Sequence, residues 1–240
     1  KVTEKKLWST RIISWEHFLN NYESVNFSEN KKSKIKRFVV RSKKECEKTN
    51  HLFFSPLLPN SEQWRVYPEF ESKCCFLDIE TTGLDKHRNK ITTIGLYDGK
   101  DSRVFVSGRD MNEFKREIEK YKLIVTYNGL CFDVPFIETK FPEISFDQLH
   151  IDLRYVLKRL GFSGGLKNIE KQVGIKRGNE VQDFDGRHAI RLWKRYKRGD
   201  DKSLDLLIKY NIEDIENLKV LMDLAYDKLK SKCFDKFCIN

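Results

Sequence analysis

At 240 residues the chain can hold one well-buried domain plus an extension, and 39% apolar content excludes a mainly disordered protein. A formal net charge of +10 suits a polyanionic partner, with plain solubility as the competing reason for the same charge. No apolar run approaches the ~20 residues of a membrane span and no signal-peptide pattern opens the chain, so no membrane association is expected.

Residues 1–70 read as a basic, mostly helical N-terminal extension. Leu7-Trp8 and Trp15-Glu16-His17-Phe18-Leu19 suggest a short amphipathic helix, and residues 31–48 are a second helical candidate. That candidate carries Lys31, Lys32, Lys34, Lys36, Arg37, Arg41, Lys43 and Lys44 with no acid between them. Such a run can contact nucleic-acid phosphates or simply be a solvated face. Pro56, Pro59 and Pro68 mark a loop-rich connection into a main domain expected over 71–230, with a tail at 231–240.

Residues 74–80 (CCFLDIE) form a short apolar run that stops at the turn signal Thr81-Thr82-Gly83, which predicts a buried strand. Asp78 and Glu80 are two apart, so on a strand they share a face, where they repel unless a cation lies between them. An edge strand with two solvated acids is the bland alternative. Residues 91–97 (ITTIGLY) predict a second strand, Asp98-Gly99 a hairpin turn, and residues 103–106 a return strand, which together make an antiparallel meander. Residues 111–121 have helical spacing, with Phe114 and Ile118 four apart. Residues 123–127 predict a fourth strand ending at Asn128-Gly129. A helix with Val134, Ile137 and Phe141 on one face follows from about Asp133, which therefore sits where a strand gives way to a helix and has helix capping as its mundane role.

His150 and Asp152 lie two apart on a probable strand. The Gly-rich stretch 161–167 lacks phosphate-loop spacing and reads as a turn before a helix starting near Leu166, with Lys167 in reach of a phosphate. Arg187, Arg191, Lys194, Arg195, Lys197 and Arg198 form a second basic cluster, interleaved with Trp193 and Tyr196. Arg191, Lys194, Arg195 and Arg198 are three or four apart, so one helix face could track phosphates, while Trp193 reads as core. Residues 204–229 carry apolar side chains at Leu204, Leu207, Ile208, Ile212, Ile215, Leu218, Leu221 and Leu224, close to a 3.6-residue period, which predicts a long amphipathic helix with Tyr210 and Asp214 one turn apart. The six cysteines form no Cys-x-x-Cys pair and read as reduced thiols of a cytoplasmic protein, although Cys233 and Cys238 could bridge in vitro.

Asp78, Glu80, Asp133 and Asp214 each border an apolar stretch, where a charge is costly unless it is paired or holds a metal. Hard divalent cations bind carboxylate oxygens, and two of them about 3.5–4 Å apart can clamp a phosphodiester being cut. The pattern points to metal-dependent phosphodiester hydrolysis.

The order Asp78-Ile79-Glu80-Thr81-Thr82-Gly83, then Asn128-Gly129-Leu130-Cys131-Phe132-Asp133, then Tyr210-Asn211-Ile212-Glu213-Asp214 resembles the DEDD superfamily of 3′–5′ exonucleases. Lys209 stands where one branch of that superfamily has His, and Tyr210 matches the tyrosine branch, DEDDy, which includes polymerase proofreading domains. From about 64 to 221 the chain is also similar to the prokaryotic YprB-like family, through the segments 94–99, 125–129, 150–153, 164–170 and 210–218 and Trp193.

The resemblance implies an α/β, RNase H-like domain with a mixed β-sheet flanked by helices, and an N-terminal extension packed on it. It implies two Mg²⁺ or Mn²⁺ ions, with Asp78 bridging them, Glu80 and Asp214 helping to hold the ion that activates water, and Asp133 holding the other, through water. Tyr210 would orient the attacking water, because a phenol of pKa ≈ 10 is a poor base. Thr81, Thr82, Gly83 and Leu84 would line the terminal nucleotide's site, with Leu84 as a wedge. Asn128 and Phe132 would contact the next nucleotide or support Asp133, and Asp152 would support the acidic site from behind, with structural hydrogen bonding as its alternative. The implied activity is release of nucleoside 5′-monophosphates from the free 3′ end of single-stranded nucleic acid, DNA ahead of RNA. Two rivals share the residues: a structure-specific or endonucleolytic enzyme, and a catalytically silent nucleic-acid-binding subunit.

Overall fold

The computed structural model describes residues 2–234. Its N-terminal part is helical: α1 (Val2–Ser9), α2 (Trp15–Asn21) and α3 (Glu29–Glu47). Ser14 caps α2 by accepting from the His17 N–H at 3.1 Å. These helices share a small core of Ile12, Phe18 and Val25. The chain then runs through α4 (His51–Phe54), a 3₁₀ segment (Asn60–Val66) and α5 (Tyr67–Phe70), which opens with Pro68 in its first turn. Phe54, Trp64, Val66, Tyr67 and Phe70 are buried in the same core as Phe76, Leu221 and Ala225, so this stretch is packed onto the sheet domain. The Tyr67 hydroxyl donates to Asp223 at 2.7 Å and fixes the same junction.

The sheet is built from β1 (Cys74–Thr81), β2 (Ile91–Tyr97), β3 (Ser102–Val106), β4 (Leu123–Thr126) and β5 (Leu149–Asp152) in the order β3-β2-β1-β4-β5. The first three strands form the expected antiparallel meander. β4 and β5 add parallel strands on the other side of β1, after the crossovers that hold α6 (Phe114–Ile118) and α7 (Asp133–Lys140). The remaining helices are α8 (Leu153–Lys158), α9 (Leu166–Val173), α10 (Gly186–Tyr196) and α11 (Asp201–Phe234). The expected mixed sheet flanked by helices is therefore present.

Period-2 alternation divides β1 between two cores. Cys75, Leu77 and Ile79 face α6 and α7, packing with Phe114, Ile118, Phe136 and Ile137. Cys74 and Phe76 face α11, packing with Ile215, Leu218 and Leu221. Asp78 and Glu80 continue that second face, and so they point toward α11.

Two boundaries differ from the sequence expectation. The helix expected over 111–121 is a 3₁₀ turn (Met111–Glu113) followed by the short α6. Its end tightens, with Lys120 and Tyr121 N–H groups bonding three residues back, because Lys122 must already pair with Lys73 to enter the sheet. The last helix starts earlier and ends later than 204–229, at its front because Asp200 accepts from the Ser203 N–H and hydroxyl. No helix among the described residues is long and apolar enough to cross a membrane. Cys46, Cys74, Cys75, Cys131 and Cys233 are free, while Cys238, the proposed partner of Cys233, lies outside the described residues, as does most of the 231–240 tail.

Candidate functional site

α11 crosses the sheet over β1, β2 and β3 and carries Asp214 and Tyr210 one turn apart. Asp214 thereby meets the two acids of β1: Asp78, Glu80 and Asp214 each bring a carboxylate oxygen within 4.8 Å of the others. Glu80 and Asp214 are buried, and Asp78 is partly exposed. A register shift between Glu80 and Thr81 interrupts the pairing with β2 at this end of the strand.

The close approach of α11 depends on Gly95. A Cβ at that position would lie 2.8 Å from Asn211 Oδ1 and 3.1 Å from Ile215 Cγ2. Asn211, fully buried, uses its amide to donate to Asp78 Oδ2 at 2.8 Å. Its carbonyl oxygen has no hydrogen-bond partner among the described residues.

Asp133 arrives from the other layer. β4 pairs with β1 only as far as Phe76, so the Ile79 N–H lacks a strand partner and donates instead to Asp133 Oδ1 at 3.0 Å. Asp133 is the first residue of α7, and its carboxylate is tied to β1 across the sheet rather than capping its own helix. It lies outside the tight three-carboxylate group, but its charge acts on Asp78 and Glu80.

Two cations approach the acids. Arg177, in the irregular segment between α9 and α10, binds Glu170 through two bonds of 2.7 and 2.6 Å and also donates to Asp214 Oδ1. Asn217 donates to Glu170 at 3.1 Å from the next turn of α11. Lys167 lies with its ammonium 4.3 Å from the centre of the Tyr210 ring. That ammonium and one Arg177 guanidinium nitrogen are buried without a hydrogen-bond partner among the described residues.

The electrostatics are those of crowded acids. Burial, then Asp214, Asp133 and Glu80, push the Asp78 carboxyl well above the usual range. Burial, then Asp214 and Asp133, do the same to Glu80. Asp133 is pushed up to about 7 by burial, with the Ile79 N–H pulling the other way. Asp214 is raised by burial and held back by Arg177. Burial, then Arg177, lowers Lys167. Burial opposes the Arg177 charge, yet Glu170 and Asp214 hold it above its ordinary value. Burial and the acids beside it raise Tyr210, so its phenol stays protonated; its hydroxyl makes no hydrogen bond among the described residues.

The other expected site residues vary in placement. Thr81 is buried and donates to the Gly83 carbonyl at 2.8 Å, while Thr82 accepts from the Lys90 N–H at 3.0 Å, so both brace the turn after β1. Leu84, 86% exposed, projects from that turn with nothing packed on it. Asn128 has a left-handed backbone, φ 67°, and its side-chain oxygen accepts from Arg154. Phe132 is half-buried beside Phe136, with ring centres 5.6 Å apart. Asp152 accepts from the N–H groups of Asn128, Leu130 and Arg154 at 2.8, 3.2 and 3.0 Å, which is a structural role in shaping the 128–130 turn.

The basic clusters are less available than the sequence suggests. Lys32 is turned inward, with its ammonium 2.7 Å from the Glu23 carbonyl and 2.9 Å from Glu29. Lys31 and Lys36 lie over the rings of Phe27 and Tyr22, while Lys34 and Arg37 are exposed. On α10, Arg187 pairs with Asp185 and Arg195 with Asp200 while Arg191 and Lys194 stay exposed; Arg198 is exposed too but lies past the helix end at Tyr196, so the expected four-residue basic face stops at Arg195. Trp193 packs on the α10–α11 core, as expected.

Glu170, Arg177 and Asn211 escape a reading of the sequence as site residues. Asn211 carries a signal through its place beside Tyr210. Arg177 has none, because it lies in irregular chain and its partners are seven and 37 residues away.

A hard divalent cation fits this site. Every donor is a carboxylate oxygen, the group Mg²⁺ and Mn²⁺ favour. The acids stay mutually repelling despite Arg177 and Lys167, so charge remains to be compensated.

No curated protein matches the chain. Among solved structures it is similar to the family B DNA polymerase of the archaeon Pyrobaculum calidifontis, with 17% identity and a TM-score of 0.48 over 65% of this chain. The chain spans only 24% of that polymerase. It is also similar to Brucella melitensis NrnC bound to pGG (16% identity, TM-score 0.45, 70% of this chain and 82% of that one). The Aedes aegypti Nibbler EXO domain matches at 12% identity and a TM-score of 0.47, over 71% of this chain and 85% of that one. Residues 75–226, which hold the whole sheet after its first residue and all four acids, match the family model of the RNase_H superfamily, and the chain belongs to that superfamily.

Proposed function

We propose that the chain is a metal-dependent nuclease that removes nucleotides from the free 3′ end of single-stranded nucleic acid as nucleoside 5′-monophosphates. The observation that carries this reading is the convergence of Asp78, Glu80 and Asp214 within 4.8 Å on a face that two strand residues and one helix residue build together. Exonuclease action and the preference for DNA over RNA rest on the motif resemblance to proofreading domains.

In this reading Asp78, Glu80 and Asp214 would hold Mg²⁺ or Mn²⁺, and Asp133 would help hold a second ion. Bound there, the ions acidify water and offset the charge that develops on the phosphodiester. Asn211 fixes one Asp78 oxygen and leaves the other to the cluster. Arg177 does the same for Asp214. Tyr210, kept protonated by burial, orients a water by hydrogen bonding and takes no proton from it. Leu84 and the turn of Thr81, Thr82 and Gly83 stand just beyond Glu80 and serve the terminal nucleotide, with Asn128 and Phe132 toward the next one.

A free end separates this function from endonucleolytic cutting. With Mg²⁺, a linear single strand should be degraded and a covalently closed circle of the same sequence should survive. A circle cut as fast as the linear strand would make the enzyme an endonuclease.

A further inference from the structure

A groove of about 530 Å³ is lined by Asn128 and, beyond it, by residues that the acidic cluster does not use. One wall is α8, where Leu153, Val156 and Leu157 face the core and Arg154 and Lys158, four apart, face the groove. The other wall is the loop 162–165, and Tyr127 and Phe162 contribute aromatic surface. No acidic residue among the described residues lines it.

The loop is held in shape. Gly164 has φ +115°, a conformation that side chains rarely adopt. Its carbonyl accepts from the Tyr127 hydroxyl, and the Ser163 carbonyl accepts from Asn168 and Gln172 at 3.1 Å each. With those carbonyls occupied, the loop is left with donors: the backbone N–H groups of Ser163, Gly164 and Gly165 have no partner among the described residues. Lys158 is exposed and also has none. Unpaired N–H groups, an ammonium and a guanidinium on facing walls match the oxygens of a phosphodiester.

The groove's two walls are each linked to candidate site residues. Arg154 donates to the side chain of Asn128, on the turn that leads to Asp133. Two residues past Gly165, Lys167 reaches the Tyr210 ring. On α3, by comparison, Lys32 is turned inside the protein.

We propose that this groove binds the part of a single-stranded nucleic acid that lies beyond the nucleotide being removed: Arg154, Lys158 and the 163–165 N–H groups take its phosphodiester oxygens, and Tyr127 and Phe162 stack a base. The proposal rests on the nuclease reading of the acidic cluster and adds to it a substrate length requirement. A dinucleotide reaches only the Asn128 edge of the groove, and a longer strand fills it.

The test is binding, measured by fluorescence anisotropy in the Asp78→Ala chain with Mg²⁺, so that no cutting intervenes. Probes are a labelled dithymidylate and an oligothymidylate of about twelve nucleotides, long enough to span a strand-binding groove. The longer probe should bind at least about tenfold more tightly. Lys158→Gln, at an exposed and unpartnered position, should weaken its binding about fivefold, and the log–log salt slope should drop by about 0.7 for one lost phosphate contact on a single strand. Phe162→Leu should weaken it by about five- to tenfold through lost stacking. Neither should change dithymidylate binding. Equal affinity for both probes, or a length preference and salt slope untouched by Lys158→Gln, overturns the groove. If the chain with Asp78 intact still cuts linear strands in that case, the groove alone has failed. If no oligonucleotide is bound by the one chain or cut by the other, the nuclease reading fails and the groove with it.

Discussion

Asp78 is useful only if its orientation is fixed, and the residue that fixes it is Asn211. Asn211→Leu keeps the volume and removes the donor. It should weaken Mn²⁺ binding by about 10- to 100-fold in calorimetry, the usual cost of losing the partner of a metal ligand. Unchanged affinity would reduce Asn211 to packing. Arg177→Met should destabilise the metal-free protein by about 3–5 kcal/mol in urea unfolding, because it strands Glu170 in the interior. The pH dependence of metal binding follows from Asp133. Its folded value of about 7 lies above the ordinary 3.8, so its contribution to metal-free stability is full below about 4 and is lost as pH rises through about 7. Ions bind the deprotonated acids. The rise in Tm on adding Mg²⁺ should therefore grow from pH 5 to pH 8. A rise that is flat across that range would mean that no buried acid titrates with metal binding. Taking the difference with and without metal removes the opposing effect of His150, whose pKa burial lowers to about 4.

Elements bring these residues together, and their periods explain what the sequence discloses. Alternation along β1 puts Asp78 and Glu80 on one face, and the 3.6-residue period of α11 puts Tyr210 beside Asp214. Both relations are local and therefore legible. The pairing of the two elements is tertiary, and Gly95 governs it without any pattern that announces the role. Gly95→Ala should push Asn211 and Ile215, cost about 1–3 kcal/mol of stability in urea unfolding, and lower cleavage by displacing the Asn211 contact to Asp78. Wild-type stability would mean that α11 yields without strain. The Asp133 bond to Ile79 is equally hidden, because it exists only where β4 ends before β1 does.

At the scale of the whole molecule, the +10 charge says that a polyanion fits but does not say where. Runs of Lys and Arg on α3 and α10 stand out in the sequence, yet several of those side chains bond within the protein. Arg154 and Lys158 sit in no conspicuous run, and folding brings them to one groove with Asn128. Acids enclosed in a basic protein suit a substrate that carries charge along its length and is cut at one point. The most direct measurement incubates matched single-stranded DNA and RNA, labelled at the 5′ end, with the protein and Mg²⁺ or Mn²⁺, with EDTA, and with Asp78→Ala. The expected result is a ladder that shortens from the 3′ end, disappears with EDTA and is absent with Asp78→Ala. Intact oligonucleotides under every condition, or a ladder that survives Asp78→Ala, would contradict a metal-dependent nuclease centred on Asp78, Glu80 and Asp214.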